Sequence, residues 1–343
     1  MPTASVSHAT YLAAYNALSS LADVERLAGD ESLGLSYEAL LSILARKIDG
    51  EVRSNISYHR RADVAQQHLD RYLRGEALTT IASSISLPPT MLVRIILETH
   101  LGVKRGKETT QLLRNPRQLL PDERLCREVA NAVESDPFCG PHVDAVKRLA
   151  GLEYEALLGQ KLRALGVPFL TEDALRMRGE AKTPDALLSV PLLVRGRVVH
   201  WIDSKATFGD PWSHLEYHDN QYSSYLNRFG AGLVIYWAGF DESICDSDPR
   251  VLVAHDLLAD QCELMTCLAH DAAVGPGAPM PPTPTPTPPG APSSSGASLA
   301  IAADASPPAE LSPVARWLRA ELRADGHERD EPSWTGPPPV MSM

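Results

Sequence analysis

The chain has 343 residues, 44% of them hydrophobic and 22% charged, with a formal net charge of −11. That length allows two or three domains, the charge disfavours a simple polyanion binder, and no run approaches the ~18 apolar residues of a membrane-spanning helix. Five cysteines, at 126, 139, 245, 262 and 267, form no Cys-x-x-Cys, so free thiols are expected in a reducing compartment, with no disulfide framework and no zinc site.

The first twenty residues are rich in Ser and Ala and lack acids, as in a transit peptide, but they also lack its arginines; the expected location is nucleus, cytoplasm or both. Residues 9–110 read as helical and duplicated. Residues 27–48 and 81–101 each pass from a helix end through a small-residue turn and a Leu (Leu35, Leu87) into a second helix. Setting Leu35 on Leu87 places Leu40 on Leu92 and Leu44 on Ile96, which predicts two helix-turn-helix units, over 9–55 and 56–110. Residues 51–110 hold the one basic surplus, 9 Lys and Arg against 6 Asp and Glu. Arg94, with Arg53, Arg60, Arg61, Arg71 and Arg74, is the candidate set for phosphate contacts, which bring affinity without sequence choice; an ordinary solvated helix face is the alternative. Lys104–Lys107 starts a polar connection, and residues 116–133 read as a further helix begun at Pro121–Asp122.

From 111 to 268 the pattern is α/β (α+β). A helix over 143–165 carries Val146, Leu149, Leu152, Leu157 and Leu162 at helical spacing and stops at Gly166. A strand over 167–172 and a β-hairpin follow, with strands from Asp185 to Val194 and Val198 to Ile202 around Arg195–Gly196–Arg197. A helix over 218–229 and a buried strand over 232–240 complete the set.

The hairpin holds the chemistry. With its loop centred on Arg195, Asp185 stands opposite Lys205, and Asp203 shares the face of Lys205 because strand side chains alternate. Three charges at the mouth of an apolar hairpin need pairing or an ion. Mg²⁺ or Mn²⁺ suits Asp185 and Asp203, joined by the Ser204 carbonyl, and Lys205 would orient or deprotonate a water or neutralise charge developing on phosphorus. Metal-assisted phosphodiester hydrolysis is the expected reaction, with an internal Lys–Asp ion pair as the structural alternative. His200 falls on the opposite strand face, and His214 and His218 have no partners that would complete a zinc site.

Pro184-Asp185 followed by Asp203-Ser204-Lys205 at the end of the next strand resembles the PD-(D/E)xK nuclease superfamily, whose restriction-endonuclease-like core runs helix, strand, hairpin, helix, strand. That resemblance implies an acidic metal ligand on the first core helix, here Glu155, and the Gln221-x-x-x-Tyr225 helix is similar to the RecB-like branch, implying contacts of Gln221 and Tyr225 with substrate. The stretches KTPDALL, HWIDSKATFGD and FGAGLVIYWAGF resemble more closely the codanin-interacting nuclease family, the TPD sequence-motif family, over about residues 62–258. It implies a nuclease with two N-terminal helix-turn-helix domains that hold nucleic acid, DNA more than RNA, and in animals a codanin partner. The alternatives are an inert nucleic-acid-binding regulator and a partner-binding scaffold on the same fold; no membrane is expected. Residues 269–343 differ in kind: their Pro, Ala, Gly, Ser and Thr content predicts disorder, apart from a short amphipathic helix at 314–324.

Overall fold

The computed structural model describes residues 5–120 and 122–265; the low-complexity tail over 269–343 and its helix at 314–324 lie outside the described residues. The chain starts with a two-residue strand, Ser5–Val6 (β1), and three helices, His8–Ala17 (α1), Leu21–Ala28 (α2) and Tyr37–His59 (α3). Ser20 and Asp23 close a reciprocal capping box at the start of α2, and Ser36 caps α3. Nothing in the sequence stops α3 at the predicted unit boundary of 55, so it runs on to His59.

Ala62–Leu73 (α4), Leu78–Ser84 (α5), Pro89–Leu101 (α6), Lys107–Arg114 (α7), Pro116–Leu119 (α8) and Glu123–Glu134 (α9) form a second helical unit. The α5 and α6 axes meet at 114°, in the range of two helices joined by a tight turn. The positions matched on sequence are equivalent in burial: Leu35 with Leu87, Leu40 with Leu92 and Leu44 with Ile96 are all in the core. The unit extends past 110, because Leu112 and Leu113 of α7 and Leu125 and Val129 of α9 close the same cluster as Leu92 and Ile96. The single helix expected over 116–133 is two, since Asp122 caps a new start by accepting the Leu125 amide at 2.6 Å.

The third unit is a mixed sheet between helices. Pro141–Ala164 (α10) leads into Phe169–Thr171 (β2), the short Glu172–Met177 (α11), and the hairpin Ala186–Val194 (β3) and Arg197–Lys205 (β4). Pro211–Tyr217 (α12) passes through one π-helical turn, His218–Tyr222, into Ser223–Phe229 (α13), then Gly232–Tyr236 (β5), Phe240–Asp241 (β6), Val251–Ala254 (β7) and Cys262–Leu264 (β8). The strand order is β2-β3-β4-β5-β7, antiparallel through β4 and parallel from β4 to β7, with β8 on β3. Alternation assigns the faces. Leu233 and Ile235 pack with Leu158 and Leu162 of α10, whereas Val234 and Tyr236 pack with Trp201, Tyr222 and Tyr225.

The hairpin register departs from the expected one. Arg195 and Gly196, both with positive φ, form a two-residue turn, so Val194 pairs with Arg197. Between Leu187 and Leu192 the ladder shifts, and beyond it Ala186 pairs with Ile202. Pro191 lies in the shifted stretch and has no N–H to give the ladder. Asp185 therefore reaches the level of Asp203 and not that of Lys205.

The first helical unit docks on the sheet unit. β1 pairs in parallel with β6, His8 bonds Asp241 at 2.6 Å, and Phe208 is part of the core formed by Tyr11, Leu40 and Leu44. No single helix among the described residues is long and apolar enough to cross a membrane.

Candidate active site

The loop before Asp185 is fixed from three sides. Thr183 is buried, its hydroxyl donates to Glu172 (3.2 Å), and its carbonyl accepts from the Tyr225 hydroxyl (2.8 Å). Arg228 donates to the carbonyls of Ala181 (2.6 Å) and Lys182 (3.1 Å), bracing Lys182 in its left-handed conformation. Pro184 then holds the chain extended into Asp185. The Thr-Pro-Asp sequence is thus a device for presenting one carboxylate.

That carboxylate meets the end of β4. Asp185 Oδ2 accepts the Ser204 amide at 2.7 Å. Asp203, only 2% exposed, contacts the Lys205 ammonium, confirming the face shared by residues two apart. Lys205 Nζ also donates to Gln221 Oε1 at 3.0 Å and lies over the Tyr217 ring, 4.7 Å from its centroid. The π-helical turn that carries Gln221 is the kind of helix irregularity often found at functional sites.

The electrostatics follow from burial. Asp185 is pushed well above the usual carboxylate range, first by desolvation and then by Asp203, against the pull of Lys205 and the Ser204 amide. Burial opposes the charge on Lys205, but Asp203 and Asp185 outweigh it and raise its pKa, so at neutral pH the group is an ammonium. Glu155, on the exposed side of α10, is raised by burial and by Glu172 and Asp203 and feels Lys205, which places it within electrostatic range of the pair.

The donor set fits a hard divalent cation. Its atoms are carboxylate oxygens, and the buried Asp203 Oδ2 already sits against a cation, the Lys205 ammonium. No three His, Cys, Asp or Glu converge as a ready metal cluster among the described residues. A cation would therefore take two carboxylates from the protein and complete its shell with water and substrate oxygens, the usual manner of Mg²⁺.

Other candidates have different surroundings. Tyr225 is 3% exposed and stands edge-on to Trp201, behind Asp185, holding the Thr183 carbonyl. Ser204 presents its amide to Asp185, and its hydroxyl accepts from Trp237 Nε1 at 2.8 Å. Arg94 is in the second helical unit, donating to Thr110 at 3.2 Å. Arg53, Arg60, Arg61 and Arg71 are each paired with an acid: Asp49 and Glu216, Glu98, Asp63, and Glu76. His214 is buried between the Tyr236 hydroxyl (2.9 Å) and Ser247 (3.0 Å), and His218 reaches Asp248 (3.1 Å), so both join α12 and its π turn to the loop before β7. Cys126, Cys139, Cys245 and Cys262 are free thiols.

Two residues in contact with the site carry no local sequence signal. Arg46 of α3 donates to the Tyr217 hydroxyl and lies 5.5 Å from that ring's centroid, so Tyr217 is flanked by Arg46 and Lys205. Ser42 of α3 accepts the Phe208 amide at 2.8 Å and bonds the Thr207 hydroxyl at 2.7 Å. The first helical unit thus forms one wall of the site.

A mixed α/β unit that ends one strand in a buried Asp-x-Lys, faces it with a second Asp, and sets a Gln on the following helix has the side chains of a phosphate- or cation-handling enzyme. Residues 121–257 match the family described as "Protein of unknown function TPD sequence-motif". Proteins called CDAN1-interacting nuclease 1 are similar to it: that of Xenopus laevis is 37% identical over 68% of this chain and 81% of its own length. The Danio rerio protein is 38% identical (64% and 77%), and the Homo sapiens protein 36% identical (64% and 82%). The chain belongs to this TPD-motif family, whose curated relatives are named as nucleases. No solved structure matches it.

Proposed function

We propose that the chain is a divalent-metal-dependent nuclease of PD-(D/E)xK type. The observation that carries this reading is the Asp185–Asp203–Lys205 constellation, with a buried Asp203 carboxylate paired to Lys205 and that lysine held in turn by Gln221. Asp185 and Asp203, with the Ser204 carbonyl, would hold Mg²⁺ or Mn²⁺, and Glu155, which does not converge with them as a third ligand, would act on the site through its charge. Bound there, the ion would polarise a phosphodiester and lower the pKa of an attacking water.

The chain's own residues do the rest. Lys205, beside the two carboxylates, would donate to the phosphate oxygens as negative charge builds on them, or orient the attacking water. Gln221 and Tyr217 fix the direction of its Nζ. Tyr225 and Arg228 hold the loop before Asp185, so Tyr225 acts on position and not on substrate. The helical units would serve as helix-turn-helix modules that bring nucleic acid to the sheet, with Arg94 of the second and Arg46 of the first as the phosphate-facing cations. The relatives are named for interaction with CDAN1, and a CDAN1-like partner in nucleus or cytoplasm is the matching proposal for this chain.

The test is cleavage of labelled single-stranded, duplex and branched DNA and RNA in Mg²⁺, Mn²⁺ or EDTA. Cutting that requires the metal supports the reading; nucleic-acid binding that persists in EDTA with no cutting in any metal would mean an inert regulator.

A further inference from the structure

A cleft of about 530 Å³ opens beside the candidate site, between α3, the first half of α10 and the end of β4. Its volume lies within the ~300–1,000 Å³ typical of small-ligand sites, and it is continuous with the proposed chemistry, because Ser204, Lys205 and Tyr217 belong to its wall. Much of the remaining lining is apolar, from Leu41, Val143 and Val146. Tyr154 adds an aromatic ring steadied by stacking on Trp237, with centroids 5.1 Å apart and planes at 17°. Glu38 adds the specific signal: its Oε1 is buried and has no hydrogen-bond partner.

A buried acceptor without a donor, in an apolar and aromatic slot beside a phosphate-handling lysine, suits a flat heterocycle that carries N–H groups on its edge. We propose that this cleft receives an unpaired nucleobase of the strand being cut, which restricts the substrate to single-stranded, frayed or flapped nucleic acid at the point of cleavage. The Watson–Crick edge of every base has an N–H that Glu38 can accept, and only an unpaired base has that N–H free. Stacking against an aromatic face accepts any base, so the cleft selects strandedness and not sequence. Arg46 and Lys205, 5.5 and 4.7 Å from the centroid of the Tyr217 ring in the cleft wall, would meet the sugar–phosphate of the inserted nucleotide. This inference rests on the nuclease reading, since it takes the strand to lie across Asp185, Asp203 and Lys205.

Gly151 permits a test, because it lines the cleft in mid-α10 and a Cβ added there meets nothing within 4 Å. Gly151→Leu fills the cleft, and Glu38→Met removes the acceptor. Affinity for a fluorescent single strand, a flapped duplex and a blunt duplex is measured with full-length Asp203→Asn protein to prevent cutting. Single-strand and flap binding should exceed blunt-duplex binding by roughly 10-fold, and Gly151→Leu should erase that difference without weakening duplex binding. Glu38→Met should weaken the single strand alone. Equal affinity for single strand and blunt duplex, or a preference unmoved by both substitutions, overturns the proposal. Cleavage by the otherwise wild-type protein separates the two readings. A strand preference that depends on Gly151 without cutting in any metal sinks the nuclease reading alone, and unimpaired cutting of single strands by Gly151→Leu sinks the cleft alone.

Discussion

Asp185→Asn should stabilise the metal-free protein while abolishing its function. The Ala186–Ile202 pair brings Asp185 level with Asp203, and side chains so opposed have Cβ atoms ~5 Å apart. Two negative charges at that separation repel by about 3 kcal/mol at an effective dielectric of ~20, and Lys205 offsets part of this. An Asn can still accept the Ser204 amide, which Asp185 now accepts at 2.7 Å, so the substitution removes the repulsion and the buried charge without losing the hydrogen bond. The expected gain is about 1–2 kcal/mol at pH 7.5 in EDTA, or about 2–8 °C in Tm. The sign with pH is fixed. A carboxylate raised in the folded state lowers stability above the unfolded pKa of ~3.9, so the advantage of Asn should shrink as pH falls toward 4.5. Differential scanning fluorimetry at several pH values measures both effects. A variant less stable than wild type at pH 7.5, or an advantage that grows on acidification, would refute the reasoning.

Lys205→Met should lower the single-turnover cleavage rate by about 10²-fold or more with the fold retained, if the ammonium held by Gln221 is the donor proposed for the phosphate; quench-flow on the preferred substrate checks it. His214, pushed down to about 4 by burial and then by His218, stays neutral in the fold while the unfolded chain protonates near 6.5. Stability should therefore decline from pH 6.5 to 4 by about 3 kcal/mol from this group, and His214→Asn should flatten that part of a urea-melt pH series. Gly232→Ala should cost about 3 kcal/mol in a urea melt, since its Cβ would stand 2.0 Å from the ring of Trp201, which is fully buried and bonded to the Gly230 carbonyl.

What the sequence revealed about the site was whatever a local period encodes. Alternation along residues 198–205 put Asp203 and Lys205 on one side and His200 on the other, and spacing marked α10, α13 and β5 within a few residues. The cross-strand register was legible only in part. Pro191 inside an apolar strand signals a bulge, but how far the ladder slips there depends on β2 and β8, both of which pair with β3. Gln221 and Tyr225, four apart, suggested one shared role, yet one holds Lys205 and the other the loop before Asp185. The packing of the first helical unit on the sheet had no local signal at all. It depends on pairings such as Ser5 with Phe240 and Ser42 with Thr207, and through them Arg46 and Glu38 come to face the site. The arginines of residues 51–110 read as a basic surface because sequence shows charge but not partners, and most of them are paired with acids.

The most direct measurement of the central claim is the cleavage rate of wild type and Asp203→Asn, side by side, on one labelled single-stranded substrate with Mg²⁺ and then with EDTA. Both proteins are first shown to share the same circular dichroism and melting cooperativity. The account predicts cutting by wild type in Mg²⁺ alone and a loss of about 10³-fold or more in the variant. Equal rates in the two proteins, or wild-type cutting that survives EDTA, would contradict it.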